Sequence, residues 1–169
     1  MKRTTYFLLP FLWGLLLTAC EPDPVEETNS AVPVSGDSLR GMYVLNEGGY
    51  NQNNASLDYL DFTTGQYSLN IFQTANPSLV QGLGDVGNDL LVYGSKAYIC
   101  VNGSGLVEVV EAYTAKHLAQ INIANCRRLC AHEGKVYVTS YAGRVEDADH
   151  QLGYVAKIDT ATMQVVATC

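Results

Sequence analysis

The sequence predicts an all-β fold, a β-propeller of four-stranded antiparallel blades with about three blades present. Short runs with tyrosine second recur at Met42-Tyr43-Val44-Leu45, Ala97-Tyr98-Ile99-Cys100 and Val136-Tyr137-Val138-Thr139. A second run follows each of these, at 57–61, 107–111 and 155–159, and every one ends in an acid that leads into a turn: Thr63-Thr64-Gly65, Tyr113-Thr114-Ala115 or Thr160-Ala161-Thr162. No stretch carries a 3.6-residue apolar period, which excludes all-helical and α/β arrangements. Four-stranded units recurring roughly every 40 to 55 residues are the pattern of propeller blades.

At the N-terminus, Lys2-Arg3 followed by the apolar run 6–17 reads as the charged and apolar regions of an export signal, residues 1–19. The run is too short to span a membrane as a helix. Residues 20–40 begin Cys20-Glu21-Pro22-Asp23-Pro24-Val25-Glu26-Glu27, an acidic, proline-broken stretch with little to bury, and are expected to form a solvated tether. The formal net charge is -7, and residues 1–19 contribute Lys2 and Arg3 but no acid, so the remainder is more acidic still. Such a surface excludes nucleic acid as a partner. Hydrophobic residues at 47% against 16% charged mark a globular chain rather than a disordered one.

The blades occupy 41–169. With strands lettered A to D from the axis outward, the first unit supplies B (42–45), C (57–61) and D (67–71). In the second, Leu90-Leu91-Val92-Tyr93 forms A, Gly94-Ser95 is a two-residue hairpin turn, and B, C and D follow at 97–100, 107–111 and 117–121. The third repeats this, with A around Leu129-Cys130-Ala131-His132, the turn at Glu133-Gly134, and D at Gln164-Val165-Val166-Ala167. A ring of about seven blades needs more than twice as many strands, so the chain reads as the N-terminal part of such a ring. Tyr98 and Tyr137 occupy equivalent positions and are expected to pack at equal depth.

Connections in an up-and-down meander alternate ends, so the B–C loops and D–A crossings share one face of the ring. Every long segment falls there: 46–56, 102–105 and 140–152 as loops, with 73–88 and 122–128 as crossings. Loops converging from successive blades are where propellers commonly bind ligands. The candidate ligand residues are Asn46, Glu47, Asn51, Asn53, Asn54, Asn102, Ser104 and Tyr141. Neutral amides and tyrosine faces suit a large polar organic ligand better than a metal ion or polyphosphate. The alternative reading of each asparagine is a turn former.

Signals for catalysis are sparse. His117, His132 and His150 fall on a strand, at a hairpin and in a long loop, so they are not expected to meet, and no GxSxG, HExxH or P-loop spacing occurs. The loop Asp147-Ala148-Asp149-His150 reads as an exposed acidic loop rather than a cation site. Cys126 and Cys130 have ligand-like spacing but no second pair, so with Cys100 they read as buried thiols or an incidental disulfide rather than a zinc site. Neither catalytic residues, nor a metal, nor a cofactor is expected.

Leu17-Thr18-Ala19-Cys20 resembles the bacterial lipobox, which implies lipidation of Cys20, and the acids after it resemble the surface-export signals of Bacteroidetes lipoproteins. Those likenesses imply a lipid-anchored protein of the outer membrane facing the exterior. The runs Val136-Tyr137-Val138-Thr139 and Lys157-Ile158-Asp159-Thr160-Ala161-Thr162 resemble the YVTN-type propeller repeat. With Asn46-Glu47-Gly48, Asn53-Asn54, Ser56 and Leu83-Gly84-Asp85, the whole resembles the surface propeller lipoproteins that capture cobamides, the vitamin B12-type corrinoids. That resemblance implies a corrinoid or other nutrient as small-molecule ligand and a TonB-dependent transporter as partner. A propeller enzyme, lyase or dehydrogenase, and a protein-binding scaffold are the alternatives; the first expects a histidine, acid or metal cluster at the axis, the second an apolar rim patch.

Overall fold

The computed structural model describes residues 39–143 and 152–169; the signal, the tether with Cys20 and the Asp147-Ala148-Asp149-His150 loop lie outside the described residues. Among the described residues the first sheet is β1 (Gly41–Asn46), β2 (Ser56–Asp61) and β3 (Tyr67–Ser68), in that order. After α1 (Ile71–Ala75) come β4 (Gly87–Tyr93), β5 (Lys96–Val101), β6 (Leu106–Glu111) and β7 (His117–Asn122), again neighbours in chain order. The third sheet is β8 (Cys126–His132), β9 (Lys135–Ser140), β10 (Tyr154–Asp159) and β11 (Gln164–Thr168). All pairings are antiparallel, so each sheet is an up-and-down meander.

The turns follow from their residues. In β4–β5 only the first central residue, Gly94, has a positive φ (61°), as a type II′ turn requires. In β8–β9 both Glu133 (46°) and Gly134 (72°) do, as type I′ requires. The acid ending each C strand caps the turn after it. Asp61 Oδ1 accepts from the N–H groups of Thr63 (2.7 Å) and Thr64 (3.0 Å), and Asp159 Oδ1 accepts from those of Ala161 and Thr162 (2.9 Å each). Glu111 Oε2 accepts from Tyr113 N–H (3.1 Å) and the Thr114 hydroxyl (2.7 Å). The recurring acid is therefore a turn device.

The middle sheet buries both faces. Ala97, Ile99, Val101 and Val110 pack with Leu57 and Phe72 and with the half-buried Tyr43 and Leu45 of the first unit. Tyr98, Cys100, Val107 and Val109 pack against Val136, Val138, Ala156 and Ile158 of the third. Burying each such aliphatic side chain contributes about 1.5 to 3 kcal/mol, so the two interfaces between sheets, more than the sheets themselves, hold the fold.

Four expectations need correction. Tyr137 matches Tyr98 in strand position but not in depth: Tyr98 is fully buried and Tyr137 only half-buried, with Lys157 Nζ 5.8 Å from its ring centroid. The Tyr98 ring faces the third sheet, whereas the matching face of the third sheet has no further described sheet against it. The first D strand stops at Ser68 instead of reaching 71, because Asn70 enters the left-handed region (φ 45°) and caps α1, whose Phe72 is fully buried. The third D strand aligns one residue later than expected, since Ile158 pairs with Val165 as Leu60 does with Tyr67 and Val110 with His117. The second D–A crossing shrinks to residues 123–125, because β7 runs to Asn122 and β8 starts at Cys126.

Candidate functional site

The 46–56 loop is organised by an acid from the crossing that follows. Asp85 is buried; its Oδ2 accepts from Asn51 N–H (2.9 Å) and its Oδ1 from Asn53 N–H (3.3 Å). Its own N–H donates to Ser104 Oγ (2.9 Å), so one residue ties the first B–C loop to the second. A Cβ on Gly103 would lie 2.4 Å from Asp85 Oδ2, which is why only glycine lets the acid approach. Asn51 and Asn53 take positive φ (61° and 52°), a conformation asparagine tolerates better than most residues. Both are turn formers as well as polar groups.

The three B–C loops meet around one open cleft of about 470 Å³. Tyr50 and Asn51 come from the first loop, Asn102 to Gly105 from the second, Tyr141 and Gly143 from the third, Ala124 and Asn125 from the crossing between the second and third units, and Arg127 from the start of β8. Asn51, Asn102, Ser104 and Tyr141, four of the expected ligand residues, are brought together here. Asn53 and Asn54 instead line a separate groove of about 300 Å³ with Gln73 and Gln81. Asn46 and Glu47 line neither. Asn46 Nδ2 donates to Ser56 Oγ (3.0 Å) and Asp58 Oδ2 (2.8 Å), and the Glu47 carbonyl accepts from Gly87 N–H (2.9 Å) while its side chain is exposed.

Several of these amides are occupied in holding the loops. Asn54 Oδ1 accepts from Gly49 N–H (2.8 Å) and Asn53 Nδ2 donates to the Gln81 carbonyl (3.0 Å). Asn102 Nδ2 donates to Asn125 Oδ1 and to the Cys126 carbonyl (3.0 Å), and Asn125 Nδ2 donates to the Gly143 carbonyl (2.6 Å). The Arg127 guanidinium lies 5.3 Å from the Tyr141 ring centroid and donates through one terminal nitrogen to Asn88 Oδ1 (3.3 Å). Sequence reasoning named Tyr50 only within the loop-face chemistry and left out Asn125 and Arg127. The crossing Asn125-Cys126-Arg127-Arg128 pointed to them only through its position on the loop face.

Two buried carboxylates lie away from the cleft at equivalent C-strand positions, Asp58 on β2 and Glu108 on β6. Asp58 accepts from Asn46, from the Tyr67 hydroxyl (2.8 Å) and from Asn70 N–H (2.7 Å). Burial works against its charge, but those donors outweigh it and hold its carboxyl below the usual value. Glu108 is fully buried, with Oε1 2.5 Å from His117 Nδ1 and Oε2 without a hydrogen-bond partner among the described residues. Here burial prevails and pushes the carboxyl up against the opposing effects of His117 and Gln120. His132 is exposed beside Glu133, and His150 lies outside the described residues.

The thiols of Cys100 and Cys126 are both free and buried, and Cys126 Sγ donates to the Leu106 carbonyl (3.1 Å); Cys130 is a strand residue as expected, but exposed. No group of three or more histidine, cysteine or acidic side chains suited to a metal ion occurs among the described residues.

The family described as Domain of unknown function (DUF5074) matches residues 40–167. The chain belongs to the DUF5074 family. A search of curated proteins gave no match. Among solved structures, the DUF5074 chain is similar to hydrazine synthase of Kuenenia stuttgartiensis, with 16% identity, a TM-score of 0.54, and coverage of 76% of this chain and 32% of that one. At this identity the likeness carries the fold alone, a β-propeller. The dihydro-heme d1 dehydrogenase NirN in complex with DHE matches at 12% identity and a TM-score of 0.49, over 75% of this chain and 25% of that one. The chain therefore spans about a third of hydrazine synthase and a quarter of NirN.

Proposed function

We propose that this DUF5074 chain is part of a non-enzymatic binding protein, held by a lipid on Cys20 at the outer-membrane surface, whose propeller face captures a nutrient and passes it to a TonB-dependent transporter. The ligand that fits best is a cobamide. One observation carries the binding reading: loops of three successive units converge on a single open cleft bearing two exposed tyrosines, Tyr50 and Tyr141, among amides and glycines. Flat aromatic faces can cover the edge of a macrocycle, and neutral polar groups satisfy its amides without the desolvation cost of charge. The lipobox and acidic tether support the location, and the resemblance of the 46–56 loop to corrinoid-capturing propellers supports the ligand.

Calorimetric titration of cobalamin and cobinamide into the whole chain tests the ligand; no heat with either removes corrinoids. Replacing Tyr50 and Tyr141 together by Ala should weaken binding by about 1 to 3 kcal/mol while leaving the exposed-loop fold intact. Equal affinity for parent and variant would take the cleft out of the site. Cys20→Ala should release the protein from the membrane fraction; unchanged fractionation removes the anchor.

A further inference from the structure

A count of the hydrogen-bond donors in the cleft points to a more specific ligand chemistry. Asn102 spends its amide hydrogens on Asn125 and the Cys126 carbonyl, Asn125 donates to Gly143, and the backbone N–H groups of Asn51, Asn102, Ser104 and Gly105 bond within the fold. The strongest donor still facing the cleft is Arg127. Its guanidinium stacks over Tyr141 and uses one nitrogen on Asn88, so the fork is oriented while several of its five N–H groups are uncommitted. The Ser104 hydroxyl, which accepts from Asp85 N–H, keeps its own hydrogen to give. Arg127 is the charged residue of a lining otherwise made of tyrosine, amide, serine and small residues, on a chain of net charge -7. Arg127 can give an oxyanion two parallel charge-assisted N–H bonds, a contact that the neutral amides and hydroxyls of the lining cannot supply.

We propose that the cleft recognises an oxyanion on its ligand, a phosphodiester or a carboxylate, at Arg127, with the flat part of the same ligand against Tyr141 and Tyr50. This rests on the ligand-binding reading above and deepens it. For a corrinoid it predicts discrimination, because cobalamin carries a phosphodiester in its nucleotide arm and cobinamide lacks one.

Titration of both corrinoids against the whole chain and its Arg127→Gln variant separates the possibilities. The parent should bind cobalamin more tightly than cobinamide; Arg127→Gln should lose about tenfold for cobalamin and under about twofold for cobinamide, with Arg127→Lys in between. Equal loss for both, or no loss for cobalamin, overturns the oxyanion site while leaving corrinoid capture standing. If the parent binds neither, corrinoid capture fails, and the oxyanion site is decided separately by titrating dimethyl phosphate and acetate while following the Arg127 Nε–H resonance by NMR. A saturable shift of that resonance, with no saturable perturbation of the neighbouring cleft amides in Arg127→Gln, supports the site for the anion that produces it. No shift with either anion overturns it.

Discussion

Asp58 of the first unit and Glu108 of the second stand at the same place on strand C, three residues before the acid that caps the next turn, yet their carboxyls are displaced in opposite directions. Each faces the residue that opens strand D, Tyr67 in one case and His117 in the other. The third unit fills the corresponding positions with Ala156 and Val165, an apolar pair. Asp58 is met by three donors; Glu108 has one oxygen on His117 and the other without a hydrogen-bond partner among the described residues. Position in the repeat decides which way a side chain points, and the neighbours that happen to surround it decide what that costs.

The largest effect expected from this lesson compares tyrosines rather than acids. Tyr98→Ala should cost about 4 kcal/mol and Tyr137→Ala about 1 kcal/mol by urea denaturation, since a buried aromatic leaves a cavity and a half-exposed one collapses onto solvent. Equal losses would break the argument that a facing sheet sets the depth. Tyr98→Phe should be neutral or stabilising, because the Tyr98 hydroxyl has no hydrogen-bond partner among the described residues.

Next comes Asp58→Ala, which strands the Asn46 amide, the Tyr67 hydroxyl and the Asn70 N–H and should cost about 3 kcal/mol at neutral pH. Because its folded pKa lies below the unfolded value, the contribution of Asp58 is present above about pH 4 and is lost as pH falls through the folded pKa. The penalty of the variant should therefore shrink in acid; a penalty independent of pH would mean that packing, not charge, is what Asp58 supplies.

Glu108→Gln gives the smallest effect and the opposite sign. With its folded pKa above the unfolded one, ionised Glu108 costs stability, so that cost grows as pH rises from about 4 through the folded pKa and disappears on acidification. Relative to the parent, the neutral variant should gain about 1 kcal/mol across that interval, read from denaturation midpoints at several pH values. A gain on lowering pH instead would reverse the assignment.

The repeat was legible in the sequence because it rests on local chemistry. Two-residue hairpins favour glycine for positive φ, an acid before a turn can cap its N–H groups, and alternating apolar runs mark strands, so the described strands and the face carrying the long loops could be read from spacing. The early end of the first D strand was not legible, since it depends on Asn70 meeting Asp58 twelve residues away and on Phe72 finding a place in the core. The shift of the third D strand depends on how Ile158 pairs with Val165.

The candidate site divides in the same way. Sequence alone determined that Asn51, Asn102, Ser104 and Tyr141 would lie on one face, because meander topology alternates its ends and that follows from strand order. Only the tertiary structure decided that these four share a cleft while Asn53 and Asn54 turn to a second groove, that Asp85 binds the first loop to the second, and that Arg127 joins the lining. Which of an amide's hydrogens remains free for a ligand depends on partners distant in the chain, as Asn102 finds Asn125 on the next crossing and Cys126 at the start of β8, and no local pattern encodes those meetings.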